Sequence, residues 1–143
     1  MCIRDRFYDS NILLYLASNN LDRVTRVREL VRKGGTISVQ VLNEMAAVSR
    51  RKFKMPWEET AALIAEAETV LHVRPLTLQV HKDGLRLAER YGFAIYDSFI
   101  IAAALAADCD TLWSEDMQHG MVVDGRLTIM NPFQIDPPLI PAS

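Results

Sequence analysis

Four acidic residues carry the chemistry available to this chain. They are Asp9 in Phe7-Tyr8-Asp9-Ser10-Asn11, Glu44 in Val41-Leu42-Asn43-Glu44, Asp97 in Tyr96-Asp97-Ser98 and Asp116 in Ser114-Glu115-Asp116. Each lies at or beside a junction of strand and helix, among apolar residues that must pack into a core. A carboxylate at the edge of an apolar segment is costly unless something neutralises it. Four that converge repel one another and raise their own pKa values unless a cation sits among them. The pattern points to a divalent-metal site with Asp9, Glu44, Asp97 and Asp116 as ligands. Hard cations such as Mg²⁺ and Mn²⁺ take oxygen ligands and keep several waters, so a few carboxylates suffice. Such an ion can activate water for attack on a phosphodiester, and a second ion can steady the leaving oxygen.

Each acid taken alone has a structural explanation that stays open. Asp9 can cap the turn that follows it, since Asp-Ser-Asn is turn chemistry. Asp97 can be an ordinary helix N-cap held by the dipole, and Asp116 can sit in a solvated loop beside Glu115. Glu44, in mid-helix beside Leu42, Met45 and Ala46, is hardest to explain that way. No Gly-rich phosphate loop, zinc signature or Ser–His–Asp arrangement competes. His72, His81 and His119 show no ligand spacing; His72 reads as a strand residue, His81 as a helix-surface residue, and His119, near Asp116, as a candidate substrate contact.

Around these acids the chain alternates strand and helix patterns. Ile12 to Leu16 forms a short apolar turn of helix, ended by Asn19-Asn20. Leu21, Val24, Val27, Leu30 and Val31 recur at helical spacing up to Gly34-Gly35. Thr36-Ile37-Ser38 is a strand, with Ser38 placed to cap a helix running through Glu44 to about Phe53. Pro56, Glu58 and Glu59 open a helix to about Val70, and Leu71-His72-Val73 is the next strand. Thr77 caps a helix ending at Tyr91-Gly92, and Asp97 starts a very apolar helix, Ser98 to Ala107. Asp110 to Trp113 and Leu127 to Met130 complete the strands, and Pro132 and the proline-rich tail are expected outside the fold. This order predicts a three-layer α/β/α domain with a mainly parallel sheet, in which ligands bind beyond the carboxyl ends of the strands.

The bulk numbers agree with one ordinary domain. The chain has 143 residues, 50% hydrophobic and 24% charged, with a net charge of −2 that gives no global pull toward nucleic acid. Cys2 and Cys109 are far apart and suggest no disulfide framework, which fits a reducing cytoplasm. No apolar run approaches the roughly 20 residues of a membrane span, and the N-terminus lacks a signal-peptide pattern. Arg4, Asp5 and Arg6 do not suit a buried parallel strand, so residues 1–6 read as an atypical stretch before a domain at 7–133, with 134–143 a disordered tail.

Asp-Ser-Asn-Ile-Leu-Leu-Tyr-Leu at 9–16 resembles the opening of PIN-domain nucleases, especially the VapC-type toxins of bacterial toxin–antitoxin pairs. Ile37 to Glu44 is similar to that family's second motif and Tyr96 to Ala104 to its third. Leu112 to Gly120, with Ile129-Met130-Asn131-Pro132-Phe133, is similar to its closing segment. The resemblance implies an endoribonuclease that uses Mg²⁺ or Mn²⁺ held by Asp9, Glu44, Asp97 and Asp116, with water attacking to leave a 5′-phosphate and a 3′-hydroxyl. It further implies that Asn11 orients Asp9 or a metal-bound water and that Ser114 supports the site by hydrogen bonding. RNA as substrate, a VapB-like antitoxin as partner and a homodimer are implied in the same way.

Three rivals remain open on sequence alone: a PIN-fold nuclease for RNA processing or DNA trimming, a protein-binding module whose acids only cap turns, and an aspartyl phosphatase. The last wants a second Asp two residues after Asp9, where Asn11 stands. Arg50-Arg51-Lys52-Phe53-Lys54 follows Glu44, with Arg51 about 10 Å along the same helix face. These cations either grip RNA phosphates or complement the helix dipole. Arg23, Arg26, Arg28, Arg32 and Lys33 read mainly as a solvated face. Trp57, with Leu63 and Ile64, fits either core or a groove for a partner helix.

Overall fold

A computed structural model describes residues 6–134. Strand β1 (Arg6–Tyr8) leads through helix α1 (Ser10–Leu13) and a 3₁₀ turn (Leu14–Ala17) into α2 (Leu21–Arg32). Strand β2 (Thr36–Ser38), helices α3 (Val39–Arg51) and α4 (Trp57–Val70), strand β3 (His72–Arg74) and helices α5 (Leu78–Tyr91) and α6 (Ile95–Ala106) follow. Strands β4 (Thr111–Trp113), β5 (Val122–Val123) and β6 (Leu127–Met130) close the fold. The sheet order is β3-β2-β1-β4-β6-β5, with every pairing parallel except β5 on β6. Helices cover both faces, giving the α/β/α sandwich. Among the described residues no helix is long and apolar enough to cross a membrane.

The topology fixes where a site can form. β1 pairs with β2 on one side and β4 on the other, so the strand order reverses direction at β1. A crevice opens at such a reversal, beyond the carboxyl ends of the strands. Asp9 follows β1 there, its amide donating to the Trp113 carbonyl at 2.9 Å.

Local chemistry explains the elements and corrects several expectations. Arg6 belongs to β1 and is buried, so the sheet includes a residue that the charge pattern had placed before the domain; residues 1–5 lie outside the described residues. Its guanidinium donates to the Leu30 carbonyl (3.4 Å), which also accepts from the Lys33 amide (3.1 Å) at the end of α2. The Tyr8 hydroxyl stands 2.9 Å from that carbonyl and 2.8 Å from the Gly34 carbonyl. Asn20 does more than end the first turn: its side chain accepts from the Arg23 amide (3.2 Å) and caps α2. Thr77 caps α5 and Gly92 ends it in the left-handed conformation, as the sequence indicates.

Ser38 occupies the N-cap position of α3 but makes no capping bond, and its hydroxyl is buried with no hydrogen-bond partner among the described residues. The most apolar helix, α6, begins at Ile95, with Ala94 at the N-cap; Asp97 lies inside its first turn and is not the cap. Strand β5 carries no sequence signal because it has only two residues. Pro132 is buried, with its carbonyl accepting from Arg26, so it lies within the fold; of the expected tail, residues 135–143 lie outside the described residues.

Helices α5 and α6 touch at Gly84. A Cβ there would stand 2.4 Å from Phe99 Cδ1 and 3.4 Å from Phe99 Cα. Gly84→Ala would gain up to about 1 kcal/mol of helix propensity. The overpacking it forces costs about 1–3 kcal/mol, so the variant is expected to be less stable, with a lower urea midpoint. A midpoint equal to or above that of the parent would show that the two helices can separate without penalty.

Candidate active site

Asp9 is 4% exposed and occupies the N-cap of α1, where Oδ1 accepts from the Ser10 amide at 2.7 Å. Oδ2 accepts from the Ser114 hydroxyl (2.9 Å) and the Asn11 amide nitrogen (3.3 Å). The Asn11 amide nitrogen also lies 3.5 Å from the Ser114 hydroxyl, while its oxygen accepts from the Glu115 amide (3.2 Å). Asn11 therefore clamps the loop after β4 to the end of β1. Glu44 reaches the same place from the middle of α3: Ser10 Oγ donates to Oε1 and Gln40 Nε2 to Oε2, each at 2.9 Å.

The electrostatics tie in the other two acids. Burial pushes the Asp9 carboxyl up to about 7, opposed by the Ser114 and Ser10 hydrogen bonds and reinforced by the negative charges of Glu44 and Asp97. Half-buried Asp97 is also raised, first by desolvation and then by Glu44 and Asp116. Asp116 is exposed and lines a cleft of about 1330 Å³ together with Ser10, Asn11 and Glu44. Among the described residues, no Lys, Arg or His forms an ion pair with any of these four acids. Neighbouring Glu115 differs: Arg23 pairs with it, the Tyr15 hydroxyl donates to it at 2.6 Å, and Arg23 lies 4.3 Å over the Phe133 ring. Both adjacent acids line the cleft, and among the described residues only Glu115 is neutralised by an ion pair.

The sequence pattern implied a cage of four ligands, and the structure shows a looser cluster. Among the described residues, no three Asp, Glu, His or Cys side chains form a group that can hold a metal ion. Glu44 is drawn instead to Ser10 and Gln40. The donor chemistry still fits Mg²⁺, which is typically bound through one or two carboxylates and retains waters. Of the residues that the resemblance adds, the Asn11 amide nitrogen and the Ser114 hydroxyl both lie against Asp9 Oδ2. Ser10 and Gln40 escaped notice, although Gln40 lies four residues before Glu44, a spacing that brings two side chains together on a helix.

The histidines separate as follows. His72 and His81 are exposed, and His81 stacks near Phe99 with ring centroids 5.2 Å apart. His119 Nδ1 accepts from the Asn131 amide (2.9 Å), which gives that ring a structural role in holding the chain after β6.

A buried aspartate at the reversal point of a mainly parallel sheet, beside acids with no cationic partners among the described residues, defines an acidic-cleft α/β protein. A family model described as "PIN domain" matches residues 6–120, and the chain belongs to that family. The fold is shared with solved toxin structures. The DNA-bound VapBC of Salmonella typhimurium is 15% identical, with 90% of this chain and 98% of that chain covered and a TM-score of 0.69. VapC20 of Mycobacterium tuberculosis, a toxin that cleaves the sarcin–ricin loop, is 17% identical over 78% of this chain and 89% of its own, with a TM-score of 0.65. VapBC2 of Rickettsia felis, bound to a promoter DNA fragment, is 22% identical over 88% and 97%, with a TM-score of 0.64. No curated protein matches the sequence.

Proposed function

We infer that the protein is a Mg²⁺- or Mn²⁺-dependent endoribonuclease and the toxin of a toxin–antitoxin pair. One observation carries the reading: four mutually repelling acids, one of them buried, have no cationic side chain to neutralise them among the described residues. Leaving them so costs free energy that a bound cation would recover. Asp9, with Glu44, Asp97 and Asp116 around it, would hold the ion, directly or through its waters. When bound, the ion supplies a water of lowered pKa and charge stabilisation at the phosphate. Ser114 and Asn11 fix the Asp9 carboxylate by hydrogen bonds, and Ser10 and Gln40 fix Glu44.

The toxin role follows the solved neighbours, which include VapBC complexes. It carries with it an antitoxin partner, a cytoplasmic setting and a homodimer. The test is cleavage of a mixed RNA pool by purified protein with Mn²⁺ and with EDTA. Cutting only with Mn²⁺ is the expected result, and RNA left intact in both would overturn it. Ser114→Ala, which removes a hydrogen bond to Asp9 without removing charge, is expected to lower the cleavage rate about 10–100-fold. An unchanged rate would remove Ser114 from the site.

A further inference from the structure

The acidic cleft has a second half that the nuclease reading leaves unused. Its lining runs on from Glu44 and Asp116 to Arg51, Lys52 and Phe53 at the end of α3 and to Tyr96 at the start of α6. At about 1330 Å³ it exceeds the roughly 300–1,000 Å³ of a small-molecule pocket, a size suited to a polymer strand.

The cations between Arg50 and Lys54 are not equivalent. Arg50 serves the fold: it donates to the Met55 carbonyl at 2.6 Å and its guanidinium lies 4.0 Å over the Trp57 ring. Arg51 and Lys52 line the cleft, are exposed, and pair with no carboxylate among the described residues. Beside them, Phe53 is 42% exposed and Tyr96 is 65% exposed, although aromatic rings usually find cover in a core. Tyr96 is braced against Phe99, with centroids 6.1 Å apart and planes at 78°, and it directly precedes Asp97 in the chain. Unpaired cations interleaved with exposed rings are what a single-stranded nucleic acid recognises. The cations meet phosphates, and each ring offers a face to any base.

We propose that Phe53 and Tyr96 are the stacking platforms on which this cleft seats unpaired bases, with Arg51 and Lys52 gripping the adjoining phosphates. The proposal rests on the nuclease reading and names the residues that would seat RNA beside the acids. Bases in an A-form duplex are already stacked on one another and present no free faces to the rings. Duplex RNA would keep the phosphate interactions and forgo the stacking.

Fluorescence anisotropy tests this with a short labelled oligouridylate and a duplex of equal length, both in EDTA so that binding is read without cleavage. The whole protein is expected to bind the single strand more tightly. Phe53→Ala and Tyr96→Ala should each weaken single-strand binding roughly 5- to 150-fold, the range for losing one stacked base, and affect the duplex far less. Phe53→Leu, which keeps apolar bulk without a π face, should behave like Phe53→Ala. Joint replacement of Arg51 and Lys52 by Ala should weaken both ligands and flatten the salt dependence by about 0.7 in log–log slope for each phosphate no longer neutralised. Leu85→Ala, exposed on α5 away from the cleft, is the control for surface truncation.

Equal affinity of the parent for the two ligands, or a preference that survives both aromatic replacements, overturns the proposal. That outcome also covers a groove built for a protein segment. Cleavage of the mixed pool with Mn²⁺, run in parallel, separates the two levels. A parent that cuts while the aromatic variants bind normally sinks the stacking alone. A parent that binds through the rings but never cuts sinks the nuclease reading alone, and one that does neither sinks both.

Discussion

Asp97→Asn is expected to lose RNA cleavage by at least about 10²–10³-fold while remaining folded, the scale on which removing one preorganised electrostatic group acts. The side chain lies in the first turn of α6, half-buried, and its ionised form is disfavoured by desolvation and by Glu44 and Asp116. Asparagine keeps the shape and removes only the charge. In EDTA the variant should therefore melt at or above the parent temperature, because a repulsion has gone. Added Mn²⁺ should raise the parent's melting temperature and raise the variant's less. The trade of stability for function is common where a site stores unfavourable charge. Retained cleavage, or the same Mn²⁺ shift in both proteins, would show that Asp97 takes no part in holding the ion.

The second large effect is on stability against pH. Asp9 titrates at about 7 in the folded protein against an ordinary value of 3.8, so between these limits the native state binds the proton that the unfolded chain has released. Stability in EDTA should then fall as pH rises from about 4 to 7, by an amount on the order of a few kcal/mol. The decline levels off above the folded value, where both states are ionised. Asp9→Asn should flatten that slope, and Mg²⁺ should oppose it, since a cation favours the ionised form. Chemical denaturation at a series of pH values measures this directly. A parent whose stability is level or rising over that range would mean that water reaches Asp9 more freely than its 4% exposure indicates.

How much of this was legible before the structure depends on the length over which each signal acts. Thr77, Gly92 and the Thr36–Ser38 strand were readable because caps and short buried strands announce themselves within a few residues. Asp97 misled because an acid before an apolar run reads as an N-cap. The helix starts earlier, at Ile95, and so places that carboxylate on the inside of its first turn. Arg6 misled for another reason: its partner is a carbonyl 24 residues away, and no local pattern records it. The four acids could be nominated from their surroundings, whereas Ser10 and Gln40 could not, and Asn11 and Ser114 were reached only through the family resemblance. Ser10 to Glu44 spans 34 residues and Ser114 to Asp9 spans 105. The same distance hid the Arg23–Glu115 pair, which turned part of an apparently solvated basic helix into a brace for the loop beside Asp116.

Those long spans also set an order of events during synthesis. β1 waits for β4 before its second edge is paired, and Asp9 waits for Ser114 before its carboxylate is held. Contacts so distant along the chain form late, since loop closure must be met before they repay it. A growing polypeptide that has emerged only as far as α6 already carries Asp9, Glu44 and Asp97, yet lacks β4, Ser114 and Asp116, which complete their surroundings. The cleft gains its last acid, Asp116, and the Ser114 hydroxyl that donates to Asp9, only once the ribosome has passed those residues.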